Sequence, residues 1–266
     1  MYSIFYLLIF VLIAIFLYLE NNTLTVTKVK LTSDKIKEKI NIVHISDLHG
    51  KSFGKNNEKL IEKIKDEKPN FILFTGDLTN GRSKGKTDHV GINLLSSLNK
   101  IVPVYYINGN HEFDGGERVE NLLTELSKNG VNVLQNKIEQ IEVNNSKVSI
   151  LGLEEGLKQN TLSLLKNFEK EDNLKIVLCH YPEFIKYYCK FDIDLMFSGH
   201  AHGGQFIFPF IGGLYAPGQG IFPKYYRGIH KQNNSTLVVS RGLGPSRFPQ
   251  RLFNRPEIIS LEITTK

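Results

Sequence analysis

The chain opens with one long apolar run. Residues 1–19 carry no charged side chain, and Glu20 ends the run. A helix of this length reaches about 28 Å at roughly 1.5 Å per residue, close to the thickness of a bilayer core. A cleaved signal peptide is the alternative, but the run lacks a basic start and an Ala-x-Ala site. We therefore predict that residues 1–21 form a single transmembrane anchor.

Beyond the anchor, short apolar runs alternate with amphipathic stretches, which is typical of β-α-β units. The polar, Lys-rich segment 22–39 is interpreted as a spacer or a first edge strand, and a single domain is expected over 40–266. The strands are predicted at INIVHIS, FILFT, VPVYYI, VNVLQ, KIEQIEV, KVSILGL, KIVLCH, DLMFSGH, RGIH, STLVVS and EIISLEI. The helices are predicted around 60–64, 92–98, 119–126 and the run TLSLLKNF.

One segment interrupts this alternation. Residues 203–224 are rich in Gly, Pro and aromatic side chains, so a loop or short hairpins are predicted there. The aromatic side chains of 206–226 are interpreted as an apolar rim that meets lipid or, alternatively, as a loop packed on itself.

Composition and charge narrow the function classes. With 41% apolar and 11% aromatic residues among 266, the chain can bury a large core, which excludes a disordered protein. The formal charge of +6 is spread along the chain, which suits an anionic substrate or a membrane but predicts no nucleic-acid partner. Cys179 and Cys189 form no CxxC pair, so a thiolate metal site is not expected. They are predicted to lie in or near the core, and a local disulfide is the alternative.

Polar clusters follow the predicted strands at five places. In chain order they are DLH at 47–49, GD at 76–77, GNHE at 109–112, His180 and GHAHGGQ at 199–205. Singly these are weak signals, because a Gly-Asp pair is usually a turn and a lone histidine is usually structural. Since the carboxyl ends of strands in an α/β sheet converge on one crevice, the set predicts one shared site.

The donors of this set are carboxylates, imidazoles and one side-chain amide. Such mixed oxygen and nitrogen donors suit Mn²⁺, Fe²⁺ or Zn²⁺. So many ligands are most simply arranged around two ions bridged by one carboxylate. Two ions about 3.5 to 4 Å apart lower the pKa of a shared water and neutralise charge on a phosphoryl group. The sequence therefore predicts a hydrolase of phosphate esters.

The series DLHG, GD, GNHE, H and GHAHGGQ resembles the calcineurin-like metallophosphoesterase superfamily from about Ile40 to the chain end. The apolar N-terminal segment, GHxHGGQ and the ending RGLGPSRFPQRLFNRPEI are similar to its YkuE-like or YaeI-like bacterial branch. This resemblance implies a four-layer α/β/β/α sandwich with a mixed central β-sandwich. It also implies hydrolysis of a phosphodiester, phosphomonoester or pyrophosphate, lipid-linked substrates included, by a metal-bridging hydroxide.

The resemblance further implies a role for each residue of the motifs. Its ligands are Asp47, His49 and His202 for one divalent ion, Asn110, His180 and His200 for the second, and Asp77 as the bridge. His111 and Asn110 would act on the substrate, with Glu112 orienting the His111 ring. Ala201 stands where relatives commonly have Thr, which removes no ligand.

Expectations for substrate contacts, location and partners complete the sequence hypothesis. Arg241 and Arg247 are candidates for phosphate binding, and structural pairing is the alternative.

Five lysines between residues 28 and 39 favour the cytoplasmic side for the domain, whereas the resemblance favours the extracytoplasmic side. We expect a monomer. The alternative to an enzyme is a membrane-anchored metal-binding module without hydrolytic activity, which the ligand set disfavours because a structural site needs no vacant position.

Overall fold

The computed structural model describes residues 2–81, 85–113, 115–154, 159–246 and 248–266. Its α-helices are α1 Tyr2–Asn22, α2 Glu58–Asp66, α3 Asp88–Asn99, α4 Asn110–Phe113, α5 Glu117–Lys128, α6 Gln159–Phe168 and α7 Ile185–Tyr188. Its first strands are β1 Thr25–Ser33, β2 Ile40–Ile45, β3 Phe71–Thr75, β4 Val104–Ile107, β5 Asn132–Val133, β6 Lys137–Val143, β7 Ser146–Leu153, β8 Leu174–Cys179 and β9 Leu195–Ser198. The later strands are β10 Ile207–Phe208, β11 Gly212–Gly213, β12 Tyr215–Ala216, β13 Gly220–Ile221, β14 Gly228–Gln232, β15 Ser235–Val239 and β16 Glu257–Thr265.

Two mixed sheets, each with six strands in the described chain, form the centre of the fold. The first has the order β1-β16-β2-β3-β4-β5, and the second has the order β14-β15-β9-β8-β7-β6. Strands β2 to β5 are mutually parallel, and so are β15, β9, β8 and β7. The carboxyl ends of the inner strands therefore lie along one edge within each sheet.

Apolar layers hold the sheets and helices together. Ile42 and Leu73 of the first sheet share a buried cluster with Ile176 and Phe197 of the second. The outer face of the first sheet packs on α2, α3 and α5, and that of the second packs on α6 and α7. Strands buried on both faces explain why the sequence shows continuous apolar runs rather than alternation. The predicted four-layer α/β/β/α fold is confirmed.

The structure refines the predicted elements at their ends. VNVLQ is shortened to the two residues of β5, and the short helices α4 and α7 were not predicted. Four residues are too few to show a helical repeat of apolar positions.

Segment 22–39 contains β1, which pairs with β16 along nine residues, so the sheet begins before Ile40. Only Val29 of β1 is buried, which explains the polar composition of this edge strand.

Helix α1 is an apolar rod attached to the domain by its C-terminal end. By length and composition it can cross a membrane. No residue of its most apolar part is buried against the domain. Glu20, in contrast, is buried and contacts the C-terminal segment of the chain.

His44 is a histidine of the core rather than of the predicted site. It is fully buried on β2, with Nε2 2.8 Å from the hydroxyl of Thr75 and its ring edge-on to Phe197. Burial lowers the pKa of His44 to about 3, whereas an unfolded chain has a histidine pKa of about 6.5. Below pH ~6.5 the unfolded chain binds a proton that the folded chain does not, so stability falls as pH drops toward the folded pKa.

We predict that His44→Gln makes the protein less sensitive to acid. Glutamine offers an amide to Thr75 but does not titrate, so the variant lacks the protonation that favours unfolding. Between about pH 6.5 and pH 5, uptake of this single proton by the unfolded chain lowers the free energy of unfolding by about 1.7 kcal/mol. Urea unfolding of both proteins, in detergent with EDTA at each pH, measures the difference. If the free energy of unfolding fell equally in both proteins as the pH was lowered, the proposal of a neutral, buried His44 would be contradicted.

Candidate metal centre

The predicted ligands lie where both sheets meet, not at the edge of one sheet. The turns after β2, β3 and β4 come from the first sheet, and the turns after β8 and β9 come from the second. Asp47 and His202 are 155 residues apart in the chain, yet their side chains approach to 3.5 Å. The hypothesis of a single-sheet crevice was wrong, because packing of the two sheets brings two sets of strand ends together.

Four of these side chains converge on one point. Ligand atoms of Asp47, His49, Asp77 and His202 all lie within 4.8 Å of one another. Nε2 of His49 is 3.2 Å from Nε2 of His202 and 3.5 Å from Oδ2 of Asp77. Imidazole nitrogens that face each other between carboxylates are suited to a shared cation.

A second group shares a member with the first. Ligand atoms of Asp77, His180 and His200 also lie within 4.8 Å of one another. Nε2 of His180 is 3.4 Å from Oδ2 of Asp77, 3.1 Å from Nδ1 of His200 and 3.2 Å from Oδ1 of Asn110. The carboxylate of Asp77 thus belongs to both groups, and the structure brings all seven predicted ligands together.

The electrostatics of the cluster favour a bound cation. Burial lowers the pKa of His49 to about 4 and that of His200 to about 3, so these rings are neutral, as metal ligands must be. Burial also lowers the pKa of His180, but the carboxylates of Asp77 and Asp47 outweigh it and raise the pKa to about 10. Burial raises the pKa of Asp47 to about 7, whereas the pKa of Asp77 is held well below its usual value by His180 and His49 despite burial. Asp77 therefore attracts positive charge, which a divalent ion supplies.

Hydrogen bonds outside the cluster orient its members. Nδ1 of His180 lies 2.6 Å from the carbonyl oxygen of Thr75, so this nitrogen carries the proton and Nε2 faces the cluster. The backbone N–H of His200 donates to both oxygens of Asp47, at 3.1 and 3.2 Å. The backbone N–H of His111 donates to Oδ1 of Asp77 at 3.0 Å, which leaves Oδ2 facing the imidazoles.

Five of the predicted ligands have left-handed backbone. Their φ angles are 52° at Asp47, 50° at His49, 56° at Asp77, 64° at His200 and 46° at His202. This region is uncommon for residues other than glycine, and such conformations concentrate at functional sites. The sharp turns direct consecutive ligands into the same crevice.

Two motif glycines permit the close packing of these turns. A Cβ atom on Gly109 would lie 2.2 Å from Oδ1 of Asp77, and one on Gly199 would lie 2.4 Å from Oδ2 of Asp47. Any larger residue at either place would displace a carboxylate of the cluster. The glycines of GNHE and GHxH are therefore required because no side chain fits at these two positions.

Glu112 has a different role from the one expected. Its fully buried carboxylate accepts hydrogen bonds from the backbone N–H groups of Asp77 at 2.9 Å, Thr79 at 3.0 Å and Gly109 at 2.8 Å. The expectation that Glu112 orients the ring of His111 was wrong, since Nδ1 of His111 instead accepts the N–H of Gly81 at 3.2 Å. Glu112 holds the turn that carries Asp77.

His111 borders an open pocket beside the cluster. Because Nδ1 of its ring accepts the N–H of Gly81, the proton available for donation is the one on Nε2, which lies 3.9 Å from Oδ2 of Asp77. The pocket has a volume of about 440 Å³. Its lining residues are His49, Asp77, Asn80, Asn110, His111, His200, His202, Tyr215, Pro217, Gly218, Pro245 and Ser246.

The candidate arginines occupy other places. Arg241 pairs with Glu257 at 3.0 Å and donates to Thr25, and it is not among the described residues that line the pocket. The structure thus favours structural pairing for Arg241. Arg247 lies outside the described residues. Arg251 is buried, and its guanidinium donates to the carbonyl oxygens of Gly244, Arg241 and Asn254.

Sequence reasoning missed one residue that supports the cluster. Asn254 is fully buried, and its amide donates to the carbonyl oxygens of His202 at 2.7 Å and Gln205 at 3.1 Å. This contact fixes the turn of the GHxHGGQ motif from the far end of the chain. An asparagine among arginines and phenylalanines gives no local signal of such a contact.

We predict that Glu112→Gln destabilises the protein and loosens the Asp77 turn. In either orientation the new amide NH₂ would face at least one backbone N–H group, which leaves a buried donor unpaired at a cost of about 1–3 kcal/mol. Urea unfolding with EDTA measures the loss, and Glu125→Gln on the exposed face of α5 is the matched control. If Glu112→Gln unfolds at the same urea concentration as the control, Glu112 does not hold this turn.

Comparison with known proteins agrees with the geometry. The family model described as "Calcineurin-like phosphoesterase" matches residues 40–204, more than half of the chain. Two metallophosphoesterases of Bacillus subtilis (strain 168), both named uncharacterized, are similar along nearly the whole chain. YkoQ is 29% identical over 91% of this chain and 93% of its own length, and YkuE is 30% identical over 91% and 86%. A metallophosphoesterase of Aquifex aeolicus (strain VF5), also uncharacterized, is 29% identical over 96% and 98%. The chain therefore belongs to the calcineurin-like phosphoesterase family of metal-dependent enzymes.

Proposed function

We propose that the chain hydrolyses a phosphate ester with two divalent ions held at the meeting point of its sheets. The proposed ligands are Asp47, His49 and His202 for one ion, Asn110, His180 and His200 for the other, and Asp77 for both. The observation that supports this arrangement is the membership of Asp77 in both groups of ligand atoms. The oxygen and nitrogen donors suit Mn²⁺, Zn²⁺ or Fe²⁺.

The residues around the ions would bind and protonate the substrate. Bound divalent ions supply positive charge for a phosphoryl group and a lowered pKa for water. His111 presents its Nε2 proton to the pocket, where it can bind a phosphate oxygen or protonate the leaving oxygen. General acid catalysis of this kind contributes about 10²–10⁴-fold to the rate. Asn110, also in the pocket wall, would contact the same phosphate.

The pocket favours an ester with an organic group on the phosphate. Its volume of about 440 Å³ exceeds what a phosphate alone requires. Tyr215, Pro217 and Pro245 give the wall apolar surface away from the ligands. We propose a phosphodiester or pyrophosphate, lipid-linked forms included, in preference to a small phosphomonoester.

Helix α1 is proposed as a retained membrane anchor for the domain over 22–266. Glu20 is buried, accepts the N–H of Asn254 at 3.1 Å and pairs with Arg255 at 2.8 Å. The amide oxygen of Asn21 accepts the N–H of Arg251 at 2.8 Å. Cleavage beyond Asn21, past the end of the apolar run, would remove both of these partners, so the contacts support retention.

Hydrolysis of bis-p-nitrophenyl phosphate by the full chain in detergent tests the proposed reaction. We expect activity that EDTA abolishes and Mn²⁺ restores, with the monoester p-nitrophenyl phosphate cleaved more slowly. Loss occurs on chelation because only the ions supply the charge that stabilises the phosphoryl group. A chain that carries two ions and cleaves neither ester would contradict the proposal and favour a binding module.

Two substitutions separate metal binding from proton transfer. Asp77→Ala should lose both ions and all activity, because both ligand groups include this carboxylate. His111→Ala should keep both ions and lose about 10²–10⁴-fold in kcat. Elemental analysis beside kinetics measures both effects, with His89→Ala as a histidine control outside the cluster. Full metal content in Asp77→Ala would refute the bridge.

A further inference from the structure

The C-terminal segment of the chain is attached to helix α1 inside its apolar run. The ring of Phe253 lies 5.6 Å from that of Phe16, and the amide of Gln250 donates to the carbonyl oxygen of Leu17 at 3.0 Å. Phe16 is about 4.5 Å along the helix from Leu19, where the apolar run ends. Phe253 therefore reaches the depth of residues that the proposed anchor places in the membrane.

The same segment continues into the hairpins that follow the metal centre. Phe206 forms a bridge to Leu252 and contacts the ring of Phe248 at 5.5 Å. The amide of Gln205 donates to the carbonyl oxygens of Phe248 and Gln250, at 2.8 and 2.7 Å. The C-terminal segment therefore contacts helix α1 on one side and the start of the hairpins on the other.

Exposed apolar side chains cover this surface. We name as the collar the residues Phe210, Ile211, Ile221, Phe222, Phe248 and Phe253. Each exposes more than half of its surface, and Phe210 is fully exposed. Several large apolar side chains exposed in one region of the surface indicate contact with a partner or a membrane.

Backbone geometry gives a second indication. Phe210, Phe222 and Phe253 have φ angles of 67°, 53° and 52°, and every described phenylalanine with positive φ belongs to the collar. Bulky residues are rare in this region, where glycine or asparagine is favoured. Within the described chain, the exposed rings of Phe210 and Phe222 have little packing to offset that cost.

The charge of the hairpin region suits a lipid surface. Residues 206–228 contain Lys224 and Arg227 and no acidic residue. Apolar side chains beside basic ones are typical of segments that lie in the headgroup region of anionic membranes. The pocket wall at Tyr215 and Pro217 belongs to the same hairpins.

We infer that the collar inserts into the interfacial layer of the bilayer that α1 spans, and so holds the pocket mouth at the membrane surface. The inference rests on the proposed anchoring by α1. We assign lipid, rather than a second copy of the chain or another protein, as the partner of the collar. The reason is that the collar contacts a helix which itself requires lipid.

Fluorescent labels on single introduced cysteines test the collar in its membrane. The full chain is reconstituted in phosphatidylcholine vesicles with about one-third phosphatidylglycerol, a composition chosen for anionic charge. Labels are placed at Ile211→Cys and Ile221→Cys in the collar, at Ile9→Cys in α1, and at Lys147→Cys. Lys147 is exposed near the start of β7, at the end of the sheet opposite the pocket. Cys179 and Cys189 are buried, so the unmodified chain serves as the labelling blank.

Quenching by nitroxide-bearing lipid distinguishes the outcomes. We expect strong quenching at positions 9, 211 and 221 and none at 147. Quenching at position 9 with collar labels that behave like position 147 would overturn the collar and keep the anchor. An unquenched label at position 9 would overturn the anchor and the inference together. Collar labels shielded from both lipid and aqueous quenchers would identify a protein partner and also overturn the inference.

A double substitution separates docking from hydrolysis. Phe210→Asn with Phe222→Asn removes two rings at positions whose backbone asparagine adopts readily. Quenching of the Ile221→Cys label should fall toward that of position 147, while hydrolysis of soluble bis-p-nitrophenyl phosphate stays unchanged. Unchanged lipid quenching in this variant would overturn the role of the collar, whereas absence of hydrolysis in every protein would count against the proposed reaction alone.

Discussion

The buried carboxylate of Asp77 is the charge on which the arrangement of this protein depends. One oxygen accepts a backbone N–H, and the other faces the imidazoles of His49 and His180 within 3.5 Å. Neighbouring imidazoles, His180 above all, overcome the effect of burial and hold the pKa of Asp77 well below its usual value. An uncompensated charge in this place would be costly, so the surrounding structure either pairs it or coordinates it to a cation.

Backbone geometry and backbone hydrogen bonds hold the side chains around Asp77 in place. Glu112 orders the turn that carries Asp77 and the turn at Gly109, and positive φ angles at five ligand positions direct short segments toward one centre. Left-handed backbone at residues other than glycine persists only where the surrounding packing holds it in place. Here the apolar layers between and outside the two sheets provide that packing. Stability of the core and geometry of the site are therefore linked.

The C-terminal segment connects this site to the apolar helix. Asn254 donates to the carbonyl oxygen of His202, and its own backbone N–H donates to Glu20 at the end of α1. The metal centre, the collar and the helix thus share one short segment of chain. A membrane-held α1 would set the height of the pocket above the lipid through these two successive hydrogen bonds rather than through a flexible linker.

Local sequence patterns determined the inner strands, the longer helices around the sheets and the identity of the ligand types, because buried strands and amphipathic helices have characteristic apolar spacing. The motifs also identified the family. Tertiary structure alone decided that two sheets contribute strand ends, that Glu112 binds backbone rather than His111, and that Arg241 pairs with Glu257. It also decided the contacts of Asn254 and of α1 with the C-terminal segment. These partners are separated by 16 to 237 residues, or depend on turn geometry, and apolar spacing carries no information about either.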